Sequence, residues 1–291
     1  MEITVARATP ERLGEIVEVV AGWQHTGGPV QLHPGDLGWN WSLGAEALAR
    51  AVRVWSRDGQ ILAVGMVDDD ARLIRMGIAP SVDDDAAFAA QLLADLSDPA
   101  RGVPLDSVEA RSGAAFRELL QRDGWVADEP WTPLSRDLTG PVDDSGLRIE
   151  VIGADNVGDR IVQDRVTVQR AMFANSTFTL ERWHAMAAAP SYRRARCLVG
   201  YDSAGVPVAT VTVWSAGEGR PGLLEPLGVH RDHHGRGYGR GITLAAAAAL
   251  RELGSSTATV CTPSGNTGGV ATYVSAGFQR LADVTDFRRP A

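Results

Sequence analysis

The chain has 291 residues, 44% of them hydrophobic and 22% charged, with a net charge of −8. That is the make-up of a globular protein with room for one large domain or two of ordinary size. All 28 basic residues are arginine and none stands in a basic block, which argues against nucleic-acid binding, since that rests on phosphate neutralisation. No apolar run reaches the roughly 18 residues needed to cross a bilayer, so no membrane contact is expected. The start lacks a basic-then-apolar leader, and Cys197 and Cys261 have no CxxC or zinc-finger spacing. A cytoplasmic protein with two buried free thiols is the expectation.

In chain order, the first half offers a strand at Ile3–Arg7 and a hairpin over Val54–Val67, where two apolar runs flank an Asp-Gly turn. An apolar segment, LIRMGI, follows at Leu73–Ile78, and later FRELLQRDGW ends at Trp125. Residues Thr139–Gly146 (TGPVDDSG) read as a linker. Beyond it, Leu147–Ile152 is a predicted strand, Asp155 caps a helix running to about Ala174, and Thr179 opens another ending before Pro190. Strands are expected at Arg196–Tyr201, Val206–Ser215 and Leu223–His230. GRGITLAAAAALREL, Gly239–Leu253, is a strong helix stopped by Gly254. A strand at Thr257–Cys261, a helix at Thr267–Ala276 and a final strand at Phe278–Phe287 complete the half. Such alternation predicts an α/β class, or α+β with a mixed sheet.

The two halves repeat one pattern. Ile3 aligns with Ile149 at an offset of 146, LIRMGI with LEPLGV (Leu224–Val229) at 151, and Trp125 with Phe278 at 153. A slowly growing offset is what loop insertions in a duplicated domain produce. The expected domains are therefore 1–138 and 147–291, with 139–146 between them.

The most informative segment is HHGRGYGRG, His233–Gly241, joining a predicted strand to the strong helix. Bare main chain at a helix amino terminus offers N–H groups and the positive end of the dipole, which suits a diphosphate. A Walker A loop needs a lysine and the chain has none; from Gly235 and Gly237 the third position of a GxGxxG fingerprint falls on Arg240 and Ile242. Both common nucleotide motifs fail.

The run GVHRDHHGRGYGRG resembles the acetyl-CoA loop [RQ]-x-x-G-x-[GA] of the GNAT superfamily of N-acetyltransferases. His234 takes the [RQ] position, and Gly237 and Gly239 the small positions; Arg236 and Arg240 flank them. Asn266, Tyr273 and Gly277-Phe278 repeat the family's Asn, Tyr and GF intervals. The resemblance implies tandem GNAT-like domains, the second binding acetyl-CoA as cosubstrate. It places the pantetheine arm along Leu227 and Val229, the diphosphate on His234, Gly235, Arg236, Gly237, Tyr238, Gly239 and Arg240, and Asn266 beside the arm. Tyr273 becomes the general acid for the leaving thiolate. Glu225, which alternation puts on the face of Leu227 and Val229, is either the base for an amine or a structural partner of an arginine.

The first half is similar only in outline: after LIRMGIAP it has Asp83, Asp84 and Asp85 in place of glycines, which would repel a diphosphate, and Ile74 where the second has Glu225. It reads as a degenerate copy. Its segment Leu32–Trp41 is expected to cover the active half or to be an ordinary anchored loop, and Trp183, His184 and Trp214 to line an acceptor pocket or belong to the core. His230, His233 and His234 share their spacing only with Asp232, so no metal is expected. The expected partner is a small-molecule amine, with a homodimer allowed for; the alternative is a CoA-binding sensor without turnover.

Overall fold

A computed structural model describes residues 3–68, 70–98, 106–153 and 158–290. The first half runs β1 (Ile3–Arg7), α1 (Leu13–Trp23), α2 (Pro34–Asn40), α3 (Ala45–Ala51), β2 (Val52–Arg57), β3 (Gln60–Asp68), β4 (Leu73–Ile78), α4 (Ala86–Ser97), β5 (Ser107–Glu109), α5 (Ala114–Arg122) and β6 (Val126–Asp137). The second runs β7 (Arg148–Ile152), α6 (Asp159–Met172), α7 (Leu180–Ala187), β8 (Ala195–Tyr201), β9 (Pro207–Ser215), β10 (Gly222–Val229), α8 (Tyr238–Glu252), β11 (Thr257–Pro263), α9 (Thr267–Ser275), β12 (Gln279–Arg280) and β13 (Val284–Arg288). Asp155, expected to cap α6, lies outside the described residues; Thr179 caps α7 by accepting the Arg182 N–H.

All the strands belong to one mixed sheet, ordered β1-β2-β3-β4-β5-β13-β6-β11-β10-β9-β8-β7, with β12 on β6. Each half repeats an antiparallel run closed by one parallel pair, β4 with β5 and β10 with β11. The alternating apolar residues of β8–β10 fill cores on both faces: α8 and α9 cover one, α6 and α7 the other. Ile242 and Leu250 of α8 are fully buried, and each such side chain contributes roughly 1.5–3 kcal/mol. A charge at either position would detach α8 from the sheet. Among the described residues no helix is long and apolar enough to cross a membrane.

The halves exchange their last strands. The front of β6 pairs with β13, while its remainder, Trp131–Asp137, pairs with β11 of the second half. In return, β13 lies beside β5, with Phe287 opposite Val108. The single final strand expected over Phe278–Phe287 is therefore two short ones. Between them, Asp283 accepts from the Thr132 hydroxyl at 2.8 Å as the chain crosses from one half to the other.

Candidate active site

The parallel strands β10 and β11 pair only at Gly222↔Ala258 and Leu223↔Thr259, then part. From Leu224 onward β10 keeps its partner β9, but its other edge faces an opening. The first half shows what such an edge can hold. There β4 and β5 part after Arg75↔Glu109, and the chain's own segment fills the gap. The Leu32 N–H donates to the Met76 carbonyl at 3.3 Å, and the Gln31 amide oxygen accepts the Ile78 N–H at 3.0 Å. Gln31 also takes the Ser112 hydroxyl at 2.6 Å, tying the far side of the gap. At the repeat offset of 151, Met76 and Ile78 correspond to Leu227 and Val229. By that correspondence the main chain of Leu227 and Val229 lies along the part of β10 that β11 leaves unpaired, with His234 Nε2 3.1 Å from the Val229 carbonyl.

The helix behind each opening repeats the contrast. Asp85 caps α4, its carboxylate accepting the Phe88 N–H at 2.9 Å, so a negative group already sits on that amino terminus. Helix α8 starts from Gly237, at φ +82°, and no side chain caps its first turn. Gly235 also has positive φ, +75°, and both glycines face open space. The loop leaves uncapped N–H groups and a helix dipole for an anion, as a diphosphate requires. Of the nearby side chains, Arg236 is exposed, with a 3.5 Å contact to His233. Arg240 donates to the Ser275 carbonyl at 3.0 Å, and His234 lies 3.1 Å from the Val229 carbonyl. Tyr238 packs on the α8 core.

Glu225 lies at an irregularity of β10, and Tyr273 lies on α9. A β-bulge between Leu224 and Leu227 inserts one residue. The bulge breaks strict alternation, so the expectation that Glu225 shares a face with Leu227 and Val229 does not hold. Leu227 and Val229 pack towards α8, whereas Glu225 looks into clefts between the two halves. Burial, reinforced by the Asp36 carboxylate and opposed by Arg75, pushes the Glu225 carboxyl up to about 7. Tyr273, on α9, is buried against Phe278 at 5.9 Å. Burial and then the charge of Glu225 push its phenol up to about 12. The structure thus brings these two groups into one electrostatic environment. Asn266 sits at the start of α9 with both ends of its amide engaged: its oxygen accepts the Gly269 N–H at 3.1 Å and its nitrogen donates to Thr262 at 2.9 Å.

Residues 164–278 match the model of the acetyltransferase (GNAT) family. The second half is a GNAT-family domain. The whole chain has the fold of a tandem GNAT protein from the clavulanic acid biosynthesis pathway: TM-score 0.63 at 15% identity, covering 98% of each chain. A GNAT-family acetyltransferase from Colwellia psychrerythraea matches over 100% of both chains at 13% identity and TM-score 0.63. A GCN5-related N-acetyltransferase from Sphaerobacter thermophilus gives 0.57 at 17% identity, covering 99% of this chain and 96% of its own. No curated protein matches the chain significantly. The family is one of acyltransferases, and the duplication read from the sequence is present as two GNAT-like folds in tandem.

The cleft above Glu225 in the GNAT domain is walled by both halves. One part, of about 690 Å³, lies between Trp39, Asn40 and Leu43 of the first half and the segment Met172–Phe178 of the second. Trp39 stacks on Phe178 at 5.2 Å. Segment Leu32–Trp41 does cover the second half: an added Cβ at Gly38 would lie 2.4 Å from the Trp214 ring, and His33 reaches the Pro221 carbonyl. Trp183 and Trp214 are core residues, each 1% exposed, and His184 is on the surface. His230 and His233 pack edge to face at 5.3 Å, and among the described residues no three His, Cys, Asp or Glu side chains are placed to hold a metal. Burial pushes the Cys261 thiol up to about 11, so it is protonated at neutral pH and a poor nucleophile.

Sequence reasoning missed Asp36, Arg75 and Glu109, which surround Glu225. One signal was available: an arginine inside the apolar strand LIRMGI is a charge where burial is expected.

Proposed function

We propose that this chain transfers an acetyl group from acetyl-CoA to a primary amine of a small molecule in the cytoplasm. Acetyl-CoA supplies the activated acyl group as a thioester. The open edge at Leu227 and Val229 suits its pantetheine amides, as the Gln31 and Leu32 contacts in the first half illustrate. The amino terminus of α8 and Arg236 suit its diphosphate.

Glu225 accepts the proton of the ammonium group, whose pKa of about 10.4 leaves only about one amine in two thousand neutral at pH 7. A carboxylate titrating near 7 is matched to that task, being ionised yet basic at working pH. The freed nitrogen attacks the thioester carbonyl; the C–S bond breaks as Tyr273, protonated throughout the physiological range, donates its proton to the departing sulfur, and the second proton lost by the new amide nitrogen restores the phenol. Direct transfer is favoured because neither cysteine is an available thiolate: Cys197 is fully buried and Cys261 titrates high.

The reading rests chiefly on one observation, the position of Glu225 at the base of a cleft whose strand has its free edge on the other side. An amine panel with acetyl-CoA tests it by following CoA release. Turnover that falls in Glu225→Gln and Tyr273→Phe supports the enzyme; tight CoA binding with no turnover on any amine points instead to a sensor.

A further inference from the structure

The surroundings of Glu225 contain more acid than base. Asp36 on α2, Glu109 on β5 and Asp286 on β13 are buried and Glu225 is half-buried; among the described residues two guanidiniums, Arg75 and Arg111, bond to this group. Asp36 accepts the His33 N–H at 2.6 Å and pairs with Arg75. Glu109 bridges Arg75 at 2.9 Å and Arg111 at 3.5 Å, and Asp286 takes Arg111 at 3.2 and 3.3 Å. Among the described residues Glu225 alone of the four carboxyls forms no ion pair with a guanidinium; it lines the same cleft as Arg75, which holds Asp36 at 2.5 Å, and so lies under the charge of that carboxylate. Three buried carboxylates and a half-buried one facing two cations cannot all ionise cheaply. The proton belongs on the member that lacks an ion pair.

We propose that Asp36, clamped by Arg75, is a positioning residue for acyl transfer: it hydrogen-bonds the protonated Glu225 carboxyl and so makes Glu225 a stronger base. Every one of these supports comes from the first half or from the strand lent to it, so the copy that lost its own cofactor loop completes the base of the other. In the step, the ammonium N–H bond breaks, the proton passes to a Glu225 oxygen, and Asp36 accepts a hydrogen bond from it. The other titratable groups around Glu225 are Glu109, the neutral phenol of Tyr273 on α9, and, along the cleft walls, Arg50, Asp68, Asp70 and Arg182. Asp68, Asp70 and Arg50 lie on the first-half wall and Arg182 on the second.

The inference rests on Glu225 being the base, and the experiment separates the two. The full chain is assayed with acetyl-CoA and a single amine, so that the titration of the amine is common to all variants, and kcat/KM is followed from pH 5 to 9. In Glu225→Gln the acidic limb disappears. In Asp36→Asn, which removes a negative neighbour, the limb moves down by about one pH unit. In Arg75→Met, which removes the positive one, it moves up by a similar amount. Opposite displacements are not a product of poor folding, which lowers amplitude without moving a limb. A limb that is lost in Glu225→Gln yet stays put in both other variants overturns the role of Asp36. A limb that survives Glu225→Gln overturns the assignment of the base itself.

Discussion

Replacing Glu225 by glutamine should make the protein more stable at alkaline pH while removing its activity. The carboxyl is raised from 4.5 to about 7, chiefly by burial and then by the Asp36 charge. The folded state therefore holds this proton more tightly than the unfolded chain. The favourable contribution is complete below about 4.5 and is lost as the pH rises through the interval from 4.5 to 7. At 1.36 kcal/mol per unit the swing is roughly 3 kcal/mol, and partial solvent access to the cleft trims it to ~2 kcal/mol. Glutamine keeps the shape and never ionises. Urea unfolding of wild type and Glu225→Gln at pH 5, 6, 7 and 8.5 measures the difference directly. The stability gap should widen by ~2 kcal/mol in favour of the variant across that range. A gap constant to within about 0.5 kcal/mol would show that Glu225 titrates as an ordinary surface acid, and the physical case for it as a tuned base would fall.

Three further outcomes are expected. Tyr273→Phe should lower kcat by ~10²–10⁴ while leaving the Kd of acetyl-CoA nearly unchanged, since only the proton for the sulfur is removed; an unaltered rate in single-turnover kinetics would remove Tyr273 from the chemistry. Gln31→Ala deprives the Ile78 N–H and the Ser112 hydroxyl of their acceptor and should cost ~1–3 kcal/mol in chemical denaturation, without creating a second cofactor site, because Asp85 still caps α4. Gly237→Ala forces a β-carbon into a positive-φ position and should cost ~1–2 kcal/mol and weaken acetyl-CoA, whereas Gly237→Asn, which tolerates that conformation, should retain more of both. Equal behaviour of the two variants in calorimetry would contradict the left-handed cap.

What the sequence revealed was what local chemistry decides. The hairpins and the alanine-rich α8 with its glycine start rest on turn residues and periodicity within a few residues of one another, and the duplication on the recurrence of such local patterns in one order. Pairing across the chain is a different matter. Phe278–Phe287 has strand composition, but nothing in it says that β13 belongs beside Val108 rather than in its own half. The bulge at Glu225-Pro226 reversed a face assignment that strict alternation made look secure. Asn266 kept the family interval yet spends its amide on capping α9 and on Thr262, a use that spacing alone does not distinguish from ligand contact. The cluster Asp36–Arg75–Glu109 joins residues more than thirty positions apart, brought together by the pairing of β4 with β5 and by Arg75 reaching Asp36 on α2. Its sole sequence trace is charge inside apolar strands.

The most direct test of the account is isothermal titration of acetyl-CoA into the full chain, wild type beside Gly237→Glu. The opening along β10 and the uncapped α8 predict one site per chain, with the Gln31 and Leu32 contacts closing the corresponding gap in the first half, and binding abolished when a carboxylate is placed on the loop. Two sites per chain, no binding by a folded wild type, or undiminished binding by the Gly237→Glu variant would each contradict it.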